Sequence, residues 1–163
     1  MCNFQCYKDK DIESFLHEKA ILFLERKWCS VYLIVDELEF SNGHIVVVAY
    51  FTLSHKVLSD LNVSKSRIKE VGGDKNATNV HFVLIGQLGK FMSENPLLHI
   101  YTISAEQILN FAFEIIYAAS HLIPCRCVMV ECSDNIKVHN IYTNYGFKFF
   151  QYDGEHYQFY KKL

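Results

Sequence analysis

The chain has 163 residues, half of them hydrophobic, which is the length of one domain with enough apolar mass for a buried core. Its 16 Lys and Arg residues nearly balance its 18 Asp and Glu residues, and the basic residues are scattered along the sequence. This pattern disfavours nucleic acid and anionic membranes as partners, because both attract clustered cations. We therefore expect a single domain over residues 1–163.

The start of the sequence is polar, and the longest apolar run, Ile45 to Leu53, is too short to cross a bilayer. A cytoplasmic protein without a membrane segment is therefore expected. The six cysteines are expected to be reduced thiols in the packed interior. Neither the cysteines nor the eight histidines have the spacing of metal ligands, so no metal site is expected.

Hydrophobic periodicity predicts the elements of the first half of the chain. Apolar residues recur at intervals of three and four after Asp11, which can cap a first amphipathic helix. Two apolar, β-branched strands, Ser30 to Leu38 and His44 to Leu53, flank a turn at Ser41-Asn42-Gly43. The polar segment 54–79 then predicts a long excursion that holds one helical turn.

The second half of the chain alternates strands with helices. Ser104-Ala-Glu-Gln107 is typical of a capping box and predicts a helix that ends near His121. Ser133 or Asp134 can cap a further helix, which Gly146 ends. The expected strands are Val80 to Gly89, Arg126 to Glu131, Phe147 to Tyr152 and His156 to Tyr160, with a hairpin turn at Asp153-Gly154.

This order of elements predicts an α/β protein with a mostly antiparallel sheet. The strands Val80 to Gly89 and Arg126 to Glu131 are expected to run parallel, because a full helix separates them in the chain.

Two stretches resemble the GNAT superfamily of N-acetyltransferases. Asn135 to Phe147 reads Asn-Ile-Lys-Val-His-Asn-Ile-Tyr-Thr-Asn-Tyr-Gly-Phe, which is similar to the family pattern Asn-x-x-Ala-x-x-Leu-Tyr-x-x-x-Gly-Phe. Leu84 to Lys90 resembles the end of the family's fourth strand. The resemblance implies a GNAT fold, in which helices flank a mixed, mostly antiparallel sheet with splayed central parallel strands.

The resemblance also implies acetyl-CoA as cosubstrate and assigns roles to particular residues. In GNAT enzymes the pantetheine arm pairs with the end of the fourth strand, which here is Leu88, Gly89 and Lys90. An unpaired strand edge accepts an extended amide chain readily. The family's helix-starting Asn, here Asn135, helps to hold that arm, and the helical Tyr, here Tyr142, protonates the departing thiolate.

The family's glycine-rich pyrophosphate loop is replaced here by Ser93 to Ala105, which contains no glycine. The best placement puts Ile103 and Ala105 at the glycine positions, while the helix beginning at Ser104 still offers its amides and dipole to an anion. The resemblance therefore implies binding of acetyl-CoA either more weakly or by a reshaped loop.

The two candidate catalytic residues, Glu131 and Tyr142, each have a purely structural interpretation as well as a catalytic one. Glu131 ends a strand and can act as a general base toward the incoming amine, or it can be a solvated strand end. Tyr142 lies on the apolar stripe of its helix, where periodicity alone predicts core packing. Only the pattern from Asn135 to Phe147 favours the catalytic role.

The function expected from the sequence is direct transfer of acetyl from acetyl-CoA to an amine of a small molecule or protein in a ternary complex. Two alternatives stay open: a toxin-like GNAT that acetylates aminoacyl-tRNA, and a degenerate GNAT domain that binds without catalysis. The 10 Tyr and 13 Phe leave aromatic side chains for an interface, so a homodimer is a further expectation.

Overall fold

The structure is a computed structural model that describes residues 3–163. Its helices are α1 (Lys10–Ser14), α2 (Ala20–Glu25), α3 (Glu37–Ser41), α4 (Lys65–Gly72), α5 (Ala105–Ser120) and α6 (Ile136–Asn144). A π-helical turn, Phe15–Lys19, joins α1 to α2, and a 3₁₀ turn covers Pro96–Leu98. Its strands are β1 (Ser30–Val35), β2 (Val47–Leu58), β3 (Val80–Lys90), β4 (Cys127–Cys132), β5 (Lys148–Tyr152) and β6 (Tyr157–Lys162).

The six strands form one mixed sheet in the order β1-β2-β3-β4-β6-β5. β1 pairs antiparallel with β2, and β6 pairs antiparallel with both β4 and β5. β3 and β4 run parallel, with Val83 opposite Val128 and Ile85 opposite Val130. The predicted fold class and the predicted parallel pair are therefore confirmed.

Packing divides the chain into two compact units. This division does not test the expectation of a single domain, which stays a prediction. Unit 1 comprises residues 3–53 and 87–112, and its core includes Phe4, Phe15 and Tyr50, with Phe15 and Tyr50 stacked 6.1 Å apart. Unit 2 comprises residues 54–86 and 113–163. Its core is built around buried side chains of β3, β4 and β6, among them Phe82, Met129 and Tyr160.

Several expected boundaries are wrong because other side chains cap the helices. Asp9, not Asp11, caps α1, since its carboxylate accepts a hydrogen bond from the Ile12 amide at 3.2 Å. The first strand ends at Val35 rather than Leu38, because the Asp36 carboxylate accepts from the Glu39 amide at 2.9 Å and starts α3. The second strand runs beyond its expected end, to Leu58.

Two further local expectations concern turns and caps. The excursion holds a helix as expected, but α4 has eight residues rather than one turn; Ser64 caps it and Gly73 ends it in the left-handed region at φ +86°. The turn between β5 and β6 has Gly154 at φ +101°, as the Asp-Gly signal predicts. Within residues 3–163, no helix has the length and apolar character needed to span a membrane.

Candidate functional site

The end of β3 places Leu88, Gly89 and Lys90 in unit 1. Gly89 is buried, and a Cβ atom at this position would lie 2.5 Å from a Tyr50 ring carbon and 2.6 Å from the Ile12 side chain. Glycine is therefore required here by close packing under Tyr50. That contact fixes the course of the strand on which the neighbouring backbone groups of Leu88 and Lys90 lie.

A cavity of about 200 Å³ adjoins this strand end in unit 1. Lys90 and Ile103 both line it, so two residues that were predicted to contact the cofactor meet at the same cavity. Tyr101 and His99 line it as well, and the His99 Nε2 atom lies 3.0 Å from the Ser93 carbonyl oxygen. The glycine-free loop thus folds back on the end of β3.

The start of α5 is a reciprocal capping box, as predicted. The Ser104 hydroxyl accepts from the Gln107 amide at 3.1 Å, and the Gln107 side chain accepts from the Ser104 amide at 2.9 Å. Within the described residues, the amides of Ala105 and Glu106 have no hydrogen-bond acceptor. Two amides at the positive end of a 16-residue helix are therefore available to an anion, although the Glu106 carboxylate in the same turn opposes it.

Replacing Ser104 with Ala is expected to lower the free energy of unfolding by about 1 kcal/mol, because the Gln107 amide loses its acceptor. For a chain of this length that corresponds to about 2–4 °C in Tm. Thermal unfolding measured by circular dichroism tests this. Ser120→Ala, at the other end of α5, is the control, and an equal effect of both changes would contradict the capping assignment.

Glu131 lies near the end of β4 in unit 2 and is held by two partners. The Lys56 ammonium lies 3.1 Å and 3.3 Å from its two carboxylate oxygens, and the Gln158 amide donates to it at 2.7 Å. Gln158 is fully buried and also donates to Asp153 at 2.9 Å. The Glu131 carboxylate is therefore fixed in a charged network and is not a freely solvated strand end.

Lys56 and Gln158 lie 75 and 27 residues from Glu131 in the chain, so no local pattern predicts them as its partners. The hairpin signal does place Gln158 on the strand that turns back after Asp153-Gly154. In the structure Gln158 stands directly opposite Glu131 in the β4–β6 register. A polar side chain inside the apolar strand β6 was the one available signal.

Tyr142 lies on the buried face of α6 in unit 2, where its ring packs against Phe147 and Phe159 at 5.7 Å and 6.3 Å. Burial raises the pKa of its phenol far above the usual range, and the nearby Cys132 side chain, once ionised to the thiolate, raises it further. Within residues 3–163 its hydroxyl group makes no hydrogen bond. The ring is core packing, as periodicity predicts, while the hydroxyl group has no structural partner in the described chain.

Asn135 is the N-cap of α6, where Ser133 or Asp134 was expected. Its side-chain oxygen accepts from the Lys137 amide at 3.0 Å, because only from this position does a short polar side chain reach the first free amides of the helix. That bond uses only the side-chain oxygen of Asn135, so its amide NH₂ group keeps its capacity to donate to a further acceptor.

The cysteines of the described chain are free thiols. Burial raises the pKa of the Cys127 and Cys132 thiols to about 11 each, so neither is an activated nucleophile. Among residues 3–163, no group of three or more His, Cys, Asp or Glu side chains is arranged to hold a metal ion.

No family model matches the chain, and no curated protein matches it in sequence. Solved structures do match its fold. The toxin AtaT complexed with acetyl-methionyl-tRNAfMet has a TM-score of 0.73 at 19% identity, covering 98% of this chain and 85% of that one. The chain has the GNAT fold. A tyrosine-to-phenylalanine mutant of the toxin KacT matches with a TM-score of 0.72, at 18% identity and 98% and 85% coverage. AtaTR bound with AcCoA gives 0.71, at 19% identity and 98% and 84% coverage.

These GNAT structures correct the argument that charge balance excludes nucleic acid. AtaT, which shares the fold over nearly the whole chain, is solved with a charged tRNA. Net charge counts every residue, whereas binding to phosphates depends on a local group of cations. A net charge of −2 is therefore no ground for excluding a nucleic-acid partner.

Proposed function

We propose that the protein transfers the acetyl group of acetyl-CoA to the α-amino group of an aminoacyl-tRNA. The observation that carries this proposal is the match of 98% of the chain to a GNAT protein solved with acetyl-methionyl-tRNA. The matched structure of AtaTR bound with AcCoA supports acetyl-CoA as the cosubstrate. This acceptor replaces the small-molecule or protein amine that was expected from the sequence.

Acetyl-CoA fits the residues of unit 1. We assign the amides and carbonyls of Leu88, Gly89 and Lys90 to the pantetheine arm, because β3 continues to Lys90 beyond its last parallel pair, Ile85 with Val130. The cavity beside Lys90 and Ile103 provides room next to that strand end. The amides of Ala105 and Glu106, which Ser104 places in the first turn of α5, are the donors for the pyrophosphate.

When bound, acetyl-CoA supplies an activated acetyl group as a thioester. Tyr142 is assigned as the proton donor to the departing sulfur, because its phenol stays protonated and its hydroxyl group has no partner within the described residues. A buried phenol with a raised pKa is a weaker acid than a phenol in water, so on its own it would be a poor proton donor. The same burial also raises the pKa of a thiol, as it does for Cys132, so donor and acceptor stay matched.

Glu131 is assigned as the base that takes a proton from the incoming ammonium group, directly or through a water molecule. Lys56 and Gln158 hold its carboxylate in one orientation, which positions it for that role. Asn135 is assigned to the pantetheine arm through the amide NH₂ group that helix capping leaves available. The amine then attacks the carbonyl carbon, the carbon–sulfur bond breaks, and the sulfur leaves with the proton of Tyr142.

For the tRNA we assign exposed cations of α4. Lys65 and Lys69 lie one turn apart on the same face of that helix, and within the described residues neither forms an ion pair. Arg67 differs, because its guanidinium donates to the Phe149 carbonyl and lies over the Tyr160 ring. The lysine pair is therefore the local charge that the whole-chain balance conceals.

The test is a transfer assay with radiolabelled acetyl-CoA against a set of aminoacyl-tRNAs and a panel of small amines and peptides. Label is expected on aminoacyl-tRNA and not on uncharged tRNA. The double variant Lys65→Gln/Lys69→Gln is expected to raise KM for aminoacyl-tRNA about tenfold and to lower its salt dependence by about two phosphate contacts. KM for acetyl-CoA should stay unchanged.

Lys19→Gln/Lys27→Gln is the matched control, since it removes the same charge from unit 1. Equal KM effects of both double variants would contradict the assignment of α4. If the labelled acetyl group appeared on small amines and not on aminoacyl-tRNA, the proposed acceptor would be wrong, but the proposal of acetyl transfer would stand. If acetyl-CoA gave neither transfer nor a rise in Tm, the degenerate binding domain would replace the enzyme.

A further inference from the structure

Unit 2 contains a second and larger cavity, of about 430 Å³, which the proposed acetyl transfer does not use. Its walls include Val80 and Val83 of β3 and Ile116 and Ala119 of α5. Arg126, directly before β4, lines its edge, whereas Glu131 lies five residues later, within β4. At about 3.3 Å per residue the two positions are roughly 17 Å apart, so the cavity is separate from the base.

The polar side of this cavity carries three basic residues, His55, His81 and Arg126. The His81 Nδ1 atom lies 3.4 Å from the His55 Nε2 atom, and the two rings are 5.2 Å apart. The Arg126 guanidinium stands over Gly73, where an added Cβ would lie 3.4 Å from its carbon. Within residues 3–163, no Asp or Glu lines the cavity, and Arg126 has no ion-pair partner.

An arginine is always charged and presents a planar set of donors that fits a carboxylate. An uncompensated arginine beside an apolar wall therefore favours a ligand with one negative charge and an apolar body. The two imidazoles add hydrogen-bonding nitrogens to the same edge. The volume of the cavity lies within the range of sites for small molecules.

We propose that this cavity binds a small amphipathic carboxylate. Its apolar chain lies against Val83, Ile116 and Ala119, and its head group is held by Arg126 beside the histidine pair. The site does not depend on acetyl transfer, because no residue assigned to acetyl-CoA, to the acid or to the base lines it.

Isothermal titration of the full chain with octanoate tests the proposal. Octanoate is expected to bind saturably, and 1-octanol, which has the same chain without the charge, is expected to bind at least about tenfold more weakly. Arg126→Gln should weaken octanoate binding at least about tenfold and leave octanol binding unchanged. Lys137→Gln, which removes an exposed cation of α6, should change neither.

Ala119→Trp provides a second variant that tests the apolar wall. Ala119 is exposed at the mouth of the cavity, so the larger ring is expected to fill the space without disturbing the buried core. Octanoate binding should be lost while Tm stays close to that of the unmodified protein. An unchanged affinity in this variant would overturn the proposed location.

Three results would overturn the proposal itself. These are equal affinity for octanoate and octanol, an unchanged affinity in Arg126→Gln, and no saturable binding up to about 1 mM octanoate. Sedimentation of the unmodified protein and of Ala119→Trp measures the oligomeric state. If Ala119→Trp separates a dimer and octanoate does not bind, the cavity is an interface between two copies of the chain rather than a ligand site.

Discussion

Tyr142→Phe is expected to lower kcat for acetyl transfer by about 100-fold or more while leaving KM for acetyl-CoA within about twofold. The change removes only the hydroxyl group, so the departing sulfur loses its proton donor and the ring keeps its contacts with Phe147 and Phe159. Both constants are measured from the steady-state release of free CoA thiol with aminoacyl-tRNA as acceptor.

Stability separates this effect from a packing defect. Because the Tyr142 hydroxyl makes no hydrogen bond within the described chain, Tyr142→Phe should leave Tm nearly unchanged. Tyr152→Phe is a matched control, since it removes an exposed hydroxyl that donates to the Gly154 carbonyl in the hairpin. That variant should keep full activity. Full activity of Tyr142→Phe, or a loss that follows a fall in Tm, would contradict the proposed acid.

The pKa shift of Tyr142 also determines how activity should depend on pH. The pKa of the phenol is raised in the folded protein, whereas in the unfolded chain it lies near its ordinary value of about 10. The stabilisation of the neutral phenol is therefore complete below about pH 10 and is lost above that pH. Ionisation of Tyr142 should not reduce activity below about pH 10, so any alkaline fall there belongs to another group.

Local signals in the sequence predicted the elements whose hydrogen bonds are local. The capping box at Ser104 and the hairpin at Gly154 each depend on residues within a few positions of one another, and both are confirmed. The stop at Gly146 is confirmed as well. By contrast, Asp36 was not identified as a cap, because the apolar residues that follow it extend the pattern of the preceding strand.

Only those residues of the candidate site that belong to a sequence motif could be predicted from the sequence. The sequence identified Tyr142 and Asn135 by their spacing, but it did not show that Asn135 also caps α6. The network around Glu131 involves Lys56 and Gln158, which the sheet brings together from distant parts of the chain. Such pairs depend on strand order and register, which single-residue patterns do not encode.

The packing of Gly89 leads to the second large expected effect. Gly89→Ala is expected to lower the free energy of unfolding by about 1–3 kcal/mol, because its methyl group would overlap the Tyr50 ring at 2.5 Å and the Ile12 side chain at 2.6 Å. Tyr50 cannot move aside easily, since it is fully buried and its hydroxyl donates to the Ile12 carbonyl at 2.7 Å. Urea unfolding of the variant measures the loss.

Gly43→Ala distinguishes overlap from backbone strain. A Cβ at Gly43 would meet no atom within 4 Å, but Gly43 has φ +83°, so its cost of about 1 kcal/mol is conformational and independent of Tyr50. In a Tyr50→Leu background, the cost of Gly89→Ala should shrink while the cost of Gly43→Ala stays the same. A coupling energy of about 1 kcal/mol or more between positions 50 and 89 is expected. Strict additivity would show that the Tyr50 ring does not set the cost, and would leave the Ile12 side chain, 2.6 Å from the added methyl group, as its source.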